Sequence, residues 1–394
     1  MTDISSLVDS VLSVQNVEYR KLGDVATIVR GKGLQKKDFT ESGVGCIHYG
    51  QIYTSFGPYT EKTLTFVNLD DVSRFTIVSK GDIIMAVTGE NTEDICKSVA
   101  WLGDEDIVTG SHSAVIKHSL DPKYLSYYFQ SEAFFQKKKT LAHGTKVIEV
   151  TPSDLEDVLI PVPSMDVQRA IVEILDSFSS LVNDCTDELS LRRVQKGYLR
   201  ELIVDRLESD PSVKKVTVKD VAVLARETIP TAQINPKQYV GVENLVSGGG
   251  LIVTNSVPKV NACLSFKKND ILVGNIRPYL KKIWFAEFDG GTNGDVVIIS
   301  PKAQVILPKY LYYLMNSDQF FSYDNQYAKG GKMPRGDRDM ISQFKVPLPS
   351  LEVQSEIIDS LSVIDSYIDN LCDELSNRIA QYEYYLSYIL AFGE

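Results

Sequence analysis

Pro122-Lys123-Tyr124-Leu125-Ser126-Tyr127-Tyr128 returns 186 residues later as Pro308-Lys309-Tyr310-Leu311-Tyr312-Tyr313-Leu314. At the same offset Gly144-Thr145-Lys146 returns as Gly330-Gly331-Lys332 and Pro161-Val162-Pro163-Ser164 as Pro347-Leu348-Pro349-Ser350. Val167-Gln168 returns as Val353-Gln354, and Asp187-Glu188-Leu189-Ser190 as Asp373-Glu374-Leu375-Ser376. Repeated matches at one spacing mark a duplication of the chain rather than a local motif. Upstream the offset drifts. Gly81-Asp82-Ile83-Ile84 matches Asn269-Asp270-Ile271-Leu272 at 188, and Asp24-Val25-Ala26 matches Asp220-Val221-Ala222 at 196. Each copy is therefore tight in register late and variable in length and composition early.

Each copy has two parts. The first, about 20–160 and 215–346, mixes short β-rich runs with a few helices. Strands are expected at Thr76–Val78, Ile83–Val87, Ile271–Val273 and Val296–Ile299, punctuated by Gly, Asn, Asp and Pro. Helices are expected to start at Pro122 and Pro308, where proline suits a first turn. The recurring aromatics Tyr124, Tyr127, Tyr128 and Phe129 read as core packing. The second part is a long helix. After Pro163 the apolar positions Val167, Ile171, Ile174, Phe178, Leu181 and Cys185 alternate in steps of four and three, a heptad seam. The seam weakens at Arg192, Arg193 and Gly197 and resumes at Leu199, Leu202 and Ile203, until Asp210-Pro211 ends the helix. The second copy runs through Leu361, Ile364, Ile368, Leu371, Leu375, Ile379, Tyr382, Leu386 and Ile389. A lone helix with one apolar seam cannot bury it, so the two are expected to pair antiparallel, with the two similar domains at opposite ends about a pseudo-two-fold. Ile4, Leu7, Val8, Val11 and Leu12 predict a short amphipathic helix over residues 1–18.

The chain has 394 residues, 43% hydrophobic and 24% charged, a globular composition. No run of eighteen apolar residues suggests a membrane span. The first residues lack the basic-then-apolar layout of a signal peptide, and the five cysteines are scattered, so a reduced cytoplasmic setting without disulfides is expected. The net charge of −11 is unevenly distributed. Residues 1–160 carry −6, 161–208 carry −3 and 347–394 carry −8, while 209–346 carry +6. What meets a phosphate backbone is the local field, and one whole domain is basic.

Chemistry-bearing motifs are absent. His48, His112, His118 and His143 show no metal-ligand spacing, so packed or surface histidine is the expectation and no metal site is assigned. Gly31-Lys32-Gly33 lacks the third glycine of a dinucleotide fingerprint and reads as a turn, as does Gly248-Gly249-Gly250 between short β runs. There is no phosphate-binding loop of ATPases, no Asn-Pro-Pro-Tyr-type segment of adenine methyltransferases and no carboxylate pairing of a nuclease. No catalytic residue and no cofactor are assigned, and the weight moves to a binding module.

The candidate binding elements are basic, glycine-bearing loops. After the second globular helix, residues 327–338 place Lys329, Lys332, Arg335 and Arg338 around three glycines. Glycine lets backbone N–H groups approach phosphate, and Arg and Lys supply charge. The first copy offers Lys138, Lys139 and Lys146 at the matching place. Two further clusters are Arg277, Lys281 and Lys282, and Arg30, Lys32, Lys36 and Lys37. Any one of these reads as well as a solvated charged loop. Two at equivalent positions of a duplicated domain favour DNA.

Two variable domains, each closed by a Pro-x-Pro step and a long heptad helix, resemble the specificity subunit of type I restriction–modification enzymes. The carrying segments are Gly144-Thr145-Lys146, Ile160-Pro161-Val162-Pro163-Ser164 and Val167-Gln168, with Phe344-Lys345-Val346-Pro347-Leu348-Pro349-Ser350-Leu351-Glu352-Val353-Gln354. The family usually reads Pro-Leu-Pro-Pro-Leu-x-Glu-Gln there. This chain has Ser164 and Ser350 at the second-proline position and valine before each glutamine. The resemblance implies an α+β chain of two target recognition domains, residues 19–160 and 210–346, joined by long antiparallel coiled-coil helices, 161–209 and 347–394. It implies a subunit without catalysis of its own that reads split double-stranded DNA and docks two methyltransferase subunits and motor-nuclease subunits. Methyl donor and ATP would belong to those partners. The alternatives are the recognition subunit of a type IIB system, a coiled-coil scaffold that binds only proteins, and a self-contained methyltransferase.

Overall fold

The structure is a computed structural model that describes Val8, residues 17–144 and residues 147–392. It divides into two compact units. Unit 1 comprises residues 1–185 and 374–394, and unit 2 comprises residues 186–373. The helix expected over residues 1–18 lies, apart from Val8, outside the described residues up to Val17.

Unit 1 carries a sheet in the order Ala26–Arg30, Ser113–His118, Ile83–Ala86, Ser98–Trp101, Tyr59–Thr60. Ile83–Ala86 and Ser98–Trp101 are buried at every residue, which is why the first reads as a continuous apolar run rather than an alternating one. A second sheet is ordered Thr65–Val67, Val44–Ile47, Ile107–Thr109, Thr76–Val78. Unit 2 repeats the first sheet as Ala222–Ala225, Val296–Pro301, Ile271–Gly274, Ile283–Phe285. Its second sheet has three strands, Thr228–Pro230, Ala262–Phe266 and Gly290–Thr292, so the copies diverge in their early segments. The Gly248–Gly250 turn forms as expected, with Val246 N–H donating to Gly250 O at 3.1 Å.

Early on, helix Leu22–Val25 matches Val218–Val221, and helix Tyr49–Thr54 is present in unit 1 alone among the described residues. From Pro122 and Pro308 onward the helices repeat in order. In the first copy they are α1 (Pro122–Tyr128), α2 (Glu132–Leu141), α3 (Pro152–Glu156) and α4 (Met165–Ser209). In the second they are α5 (Pro308–Met315), α6 (Asp318–Gln326), α7 (Arg338–Gln343) and α8 (Leu351–Leu390). Proline opens α1 and α5 where its missing N–H costs nothing. Tyr124, Tyr127 and Tyr128, like Tyr310 and Tyr313, lie in the core.

Three polar staples explain why the late part of each copy holds its register. The Tyr124 hydroxyl donates to Pro161 O at 2.9 Å, and Tyr310 donates to Pro347 O at 3.0 Å. Buried Gln168 donates to Pro163 O at 2.8 Å and accepts from Asp121 N at 2.8 Å. Gln354 does the same with Pro349 O (2.9 Å) and Leu307 N (2.8 Å). Third, Tyr127 and Tyr313 donate to Asp176 (2.7 Å) and Asp365 (2.5 Å), which tie each globular part to its long helix. Removing one member would strand a buried polar partner, at about 1–3 kcal/mol each.

The long helices pair antiparallel. In unit 1, Phe178 stacks on Tyr385 at 4.5 Å. In unit 2, Glu188 accepts from the Tyr367 hydroxyl, Lys196 pairs with Asp365, and Val204 shares a core with Leu361. Three expected seam positions are corrected: Leu181, Leu202 and Ile379 are exposed. The seam is interrupted at these positions and not lost: Phe178 and Cys185 about Leu181, Arg200 and Val204 about Leu202, and Leu386 and Ile389 beyond Ile379 are all buried. In α4 the buried face also takes in Leu175 and Val204. No described helix is long and apolar enough to cross a membrane.

Candidate nucleic-acid interface

In unit 2, two of the basic clusters meet. The loop after α6 folds back on itself, with Lys329 N donating to Arg335 O and Arg335 N to Lys329 O, both at 2.8 Å. Gly330 takes φ 106° at the reversal, where glycine is favoured. The loop from Asn275 to Lys282 bends through left-handed Arg277 and Lys281. Arg277 N donates to Pro334 O at 2.7 Å and Gly336 N to Asn275 O at 3.0 Å. These bonds weld the 275–282 and 329–338 loops into one basic surface.

The side chains on it differ in what they can offer. Lys332 and Arg277 are exposed and make no ion pair among the described residues. Lys329 pairs with Asp337 at 2.6 Å, Arg335 with Asp295 at 3.1 Å and Lys281 with Asp318 at 2.7 Å. Exposed pairs of this kind hold little energy and open readily to a phosphate. Lys282 donates to Val242 O at 2.9 Å, and Arg338 donates to Gly294 O at 2.8 Å and Val296 O at 3.2 Å. Partial burial holds the Arg338 guanidinium below its usual pKa.

Beneath this surface lies Asp324, 1% exposed. Neither carboxylate oxygen finds a hydrogen-bond partner among the described residues, nor does the adjacent Asn275 Oδ1. Burial, with Asp337 adding repulsion, pushes the Asp324 carboxyl up to about 7. A Cβ at position 336 would lie 2.4 Å from Asp324 Oδ1 and 2.9 Å from Asn275 Oδ1, so only glycine fits there.

Unit 1 repeats the backbone. His143 N donates to Glu149 O at 3.0 Å and Glu149 N to His143 O at 2.9 Å, with Gly144 at φ 111°. Thr145 and Lys146 lie outside the described residues. Lys32, Lys36, Lys37 and Lys139 are exposed, the last 4.2 Å from the Phe135 ring. Arg30 is paired with Glu149 at 2.5 Å. Lys138 is a correction. It is 5% exposed, and its ammonium donates to Glu93 O at 2.8 Å and Ile95 O at 2.6 Å. A charge spent on two interior carbonyls is not offered to a ligand, and burial lowers its pKa. The sequence reading also passed over Arg226, exposed one residue beyond the Ala222–Ala225 strand. The match of Asp24-Val25-Ala26 to Asp220-Val221-Ala222 places it opposite Arg30, and was the signal for it.

The sequence profile of the family described as the type I restriction modification DNA specificity domain matches residues 15–190 and again 212–381. The chain belongs to this family. It is 23% identical over 417 aligned positions to a putative type I restriction enzyme specificity subunit of Haemophilus influenzae, covering 100% of each chain. It is 23% identical over 329 residues to the type I restriction enzyme MjaVIII specificity subunit of Methanocaldococcus jannaschii, covering 74% of each. The fold matches the crystal structure of a type I restriction-modification S subunit from M. genitalium with TM-score 0.57 at 16% identity, covering 96% of this chain and 97% of that one. The chain is thus a type I specificity subunit with two copies of the DNA specificity domain, a recognition component without catalysis of its own.

Proposed function

We propose that residues 19–160 and 210–346 are target recognition domains, each reading one half of a bipartite double-stranded DNA site. The observation that carries this is the duplicated specificity domain, whose late framework repeats while its early segments diverge. The welded loops of unit 2 and the His143–Glu149 loop of unit 1 are the elements presented to DNA.

The helical segments 161–209 and 347–394 act as spacers that dock two methyltransferase subunits, and motor-nuclease subunits join that complex. What supports two docking sites is a repeat of exposed apolar residues on the helices. Tyr367 matches Leu181, Tyr384 matches Tyr198 and Tyr388 matches Leu202, all at the offset of 186 and all exposed. Large apolar side chains exposed at equivalent positions suit equal partners, and of these Tyr367 also bonds Glu188 of α4 through its hydroxyl. Methyl donor and ATP are handled by those partners, in the cytoplasm and away from any membrane.

The test is a domain exchange. Residues 19–160 are replaced by the equivalent domain of a relative, and methylated adenines are mapped across a host genome. One half of the recognised sequence should change and the other persist; a change in both halves sinks the modular reading.

A further inference from the structure

On unit 2 a recess of about 690 Å³ is lined by Arg226, Thr228, Tyr239, Cys263, Asn293 and Arg338, among others. Its two charged side chains are both guanidinium groups, and no carboxylate lines it. Arg338 is fixed at the wall by its bonds to the carbonyls of Gly294 and Val296. Arg226 is exposed and makes no ion pair or hydrogen bond among the described side chains. The nearby carboxylate, Asp295, is engaged by Arg335 at 3.1 Å. Arg226 and Arg338 are close enough for the charge of one to oppose that of the other.

Two like charges facing one concave space, with no acid between them, hold an unfavourable energy that an anion relieves. The guanidinium fork matches the oxygens of a phosphate, and the hydroxyls of Thr228 and Tyr239 add neutral donors. A concave site also fits the ridge of a duplex better than its grooves. Base edges lie inside a groove and are reached by protrusions, whereas the phosphate strand stands out and seats in a hollow. We propose that this recess seats a backbone phosphate of the half-site read by unit 2, clasped between Arg226 and Arg338. The proposal rests on the DNA-recognition reading above. It adds a contact outside the glycine-bearing loops, at a residue opposite Arg30, whose charge Glu149 neutralises.

The test uses the subunit assembled with its methyltransferase and a duplex carrying the site mapped by methylation. Arg226→Ala, at an exposed position, should lower affinity about tenfold for the specific and for a scrambled duplex alike. It should also reduce the slope of log affinity against log salt by about one. Arg226→Lys, which keeps the charge, should restore the slope. A neutral methylphosphonate placed at each phosphate in turn should weaken the wild type at one position where Arg226→Ala shows no further loss. Unchanged affinity of Arg226→Ala overturns the proposal. So does a loss confined to the specific duplex with the slope intact, which would make Arg226 a reader of bases. A wild-type complex that shows neither sequence preference nor salt dependence on DNA overturns the recognition reading itself, and the recess with it.

Discussion

The loop that ends at Glu149 in unit 1 and the loop that ends at Arg335 in unit 2 have one backbone and opposite chemistry. Both close through a reciprocal pair of N–H to O bonds, and both turn at a glycine with φ above 100°. At the closing position unit 1 has Glu149 holding Arg30, while unit 2 has Arg335 holding Asp295 and leaves Arg226 unpaired. Beneath the loops the inversion runs the other way. Lys138 and Asp324, 186 residues apart, occupy the same buried helical position with opposite charge. Lys138 finds two carbonyls, and Asp324 finds no hydrogen-bond partner among the described residues. The framework is kept by the Tyr–Pro, Gln–Pro and Tyr–Asp staples. The charges above and below the loop are thereby free to differ, as two domains that read different sequences require.

The largest expected effect breaks this comparison at its buried end. The folded-state pKa of Asp324, about 7, lies above the ordinary carboxylate value. The folded chain therefore binds a proton that the unfolded chain releases. Stability is full below about pH 4, falls as pH rises, and levels off once pH passes the folded value near 7. Asp324→Asn removes the charge and keeps the shape. It should stabilise unit 2 by roughly 4 kcal/mol at pH 8 and hardly at all at pH 4. Amide exchange in α6 across that range reads the difference, and a gain independent of pH would place the cause elsewhere.

Next is Lys138→Met, which keeps the stem and deletes the ammonium. Glu93 O and Ile95 O lose their donor, so unit 1 should lose about 1–3 kcal/mol by denaturant unfolding. The salt slope of DNA binding should stay where it was. A reduced slope in a folded protein would return Lys138 to the DNA surface.

Replacing Lys332 and Arg277 together by alanine sharpens the contrast at the surface. Both are exposed and make no ion pair among the described residues, so the fold should be unaffected while the salt slope falls by about one per phosphate met. Gel shifts or anisotropy over a salt series measure it. An unchanged slope would remove the welded loops from the interface.

How much of this was legible in the sequence follows the same division. The duplication, the helix starts at Pro122 and Pro308, and the end of α4 before Pro211 were all readable, because local backbone rules and repeated segments decide them. The exposure of Leu181, Leu202 and Ile379 was not, since the seam resumes at buried Cys185, Val204 and Leu386, and long-range packing decides which single positions are left uncovered. Nor was the fate of Lys138. A lysine triplet reads as a solvated face, and only the long-range approach of the 93–95 segment turns the middle one inward. The welding of the 275–282 and 329–338 loops, some fifty residues apart in sequence, is likewise a product of sheet topology. Arg226 was within reach, but the offset of 196 that aligns it with Arg30 had to be trusted beyond the three matched residues.

The smallest effect probes whether unit 1 conceals what unit 2 displays. Arg30 ends one strand and Arg226 follows its counterpart, and Glu149 neutralises the first through a pair at 2.5 Å between two half-exposed side chains. Such a pair contributes about 0–1 kcal/mol to stability, so Glu149→Gln should leave the fold of unit 1 intact. The backbone bonds between residues 143 and 149 do not involve the carboxylate and should persist. With the acid gone, Arg30 becomes free to meet a phosphate, and a repulsive charge leaves the DNA surface. Affinity should then rise a few-fold, and the salt slope should steepen by at most about one. Because phosphate contacts carry no sequence information, scrambled duplexes should gain as much as specific ones, and discrimination between them should not improve. If the slope stays fixed while affinity for one sequence alone changes, Glu149 reads a base, and the acidic member of the inverted pair is the working one in unit 1.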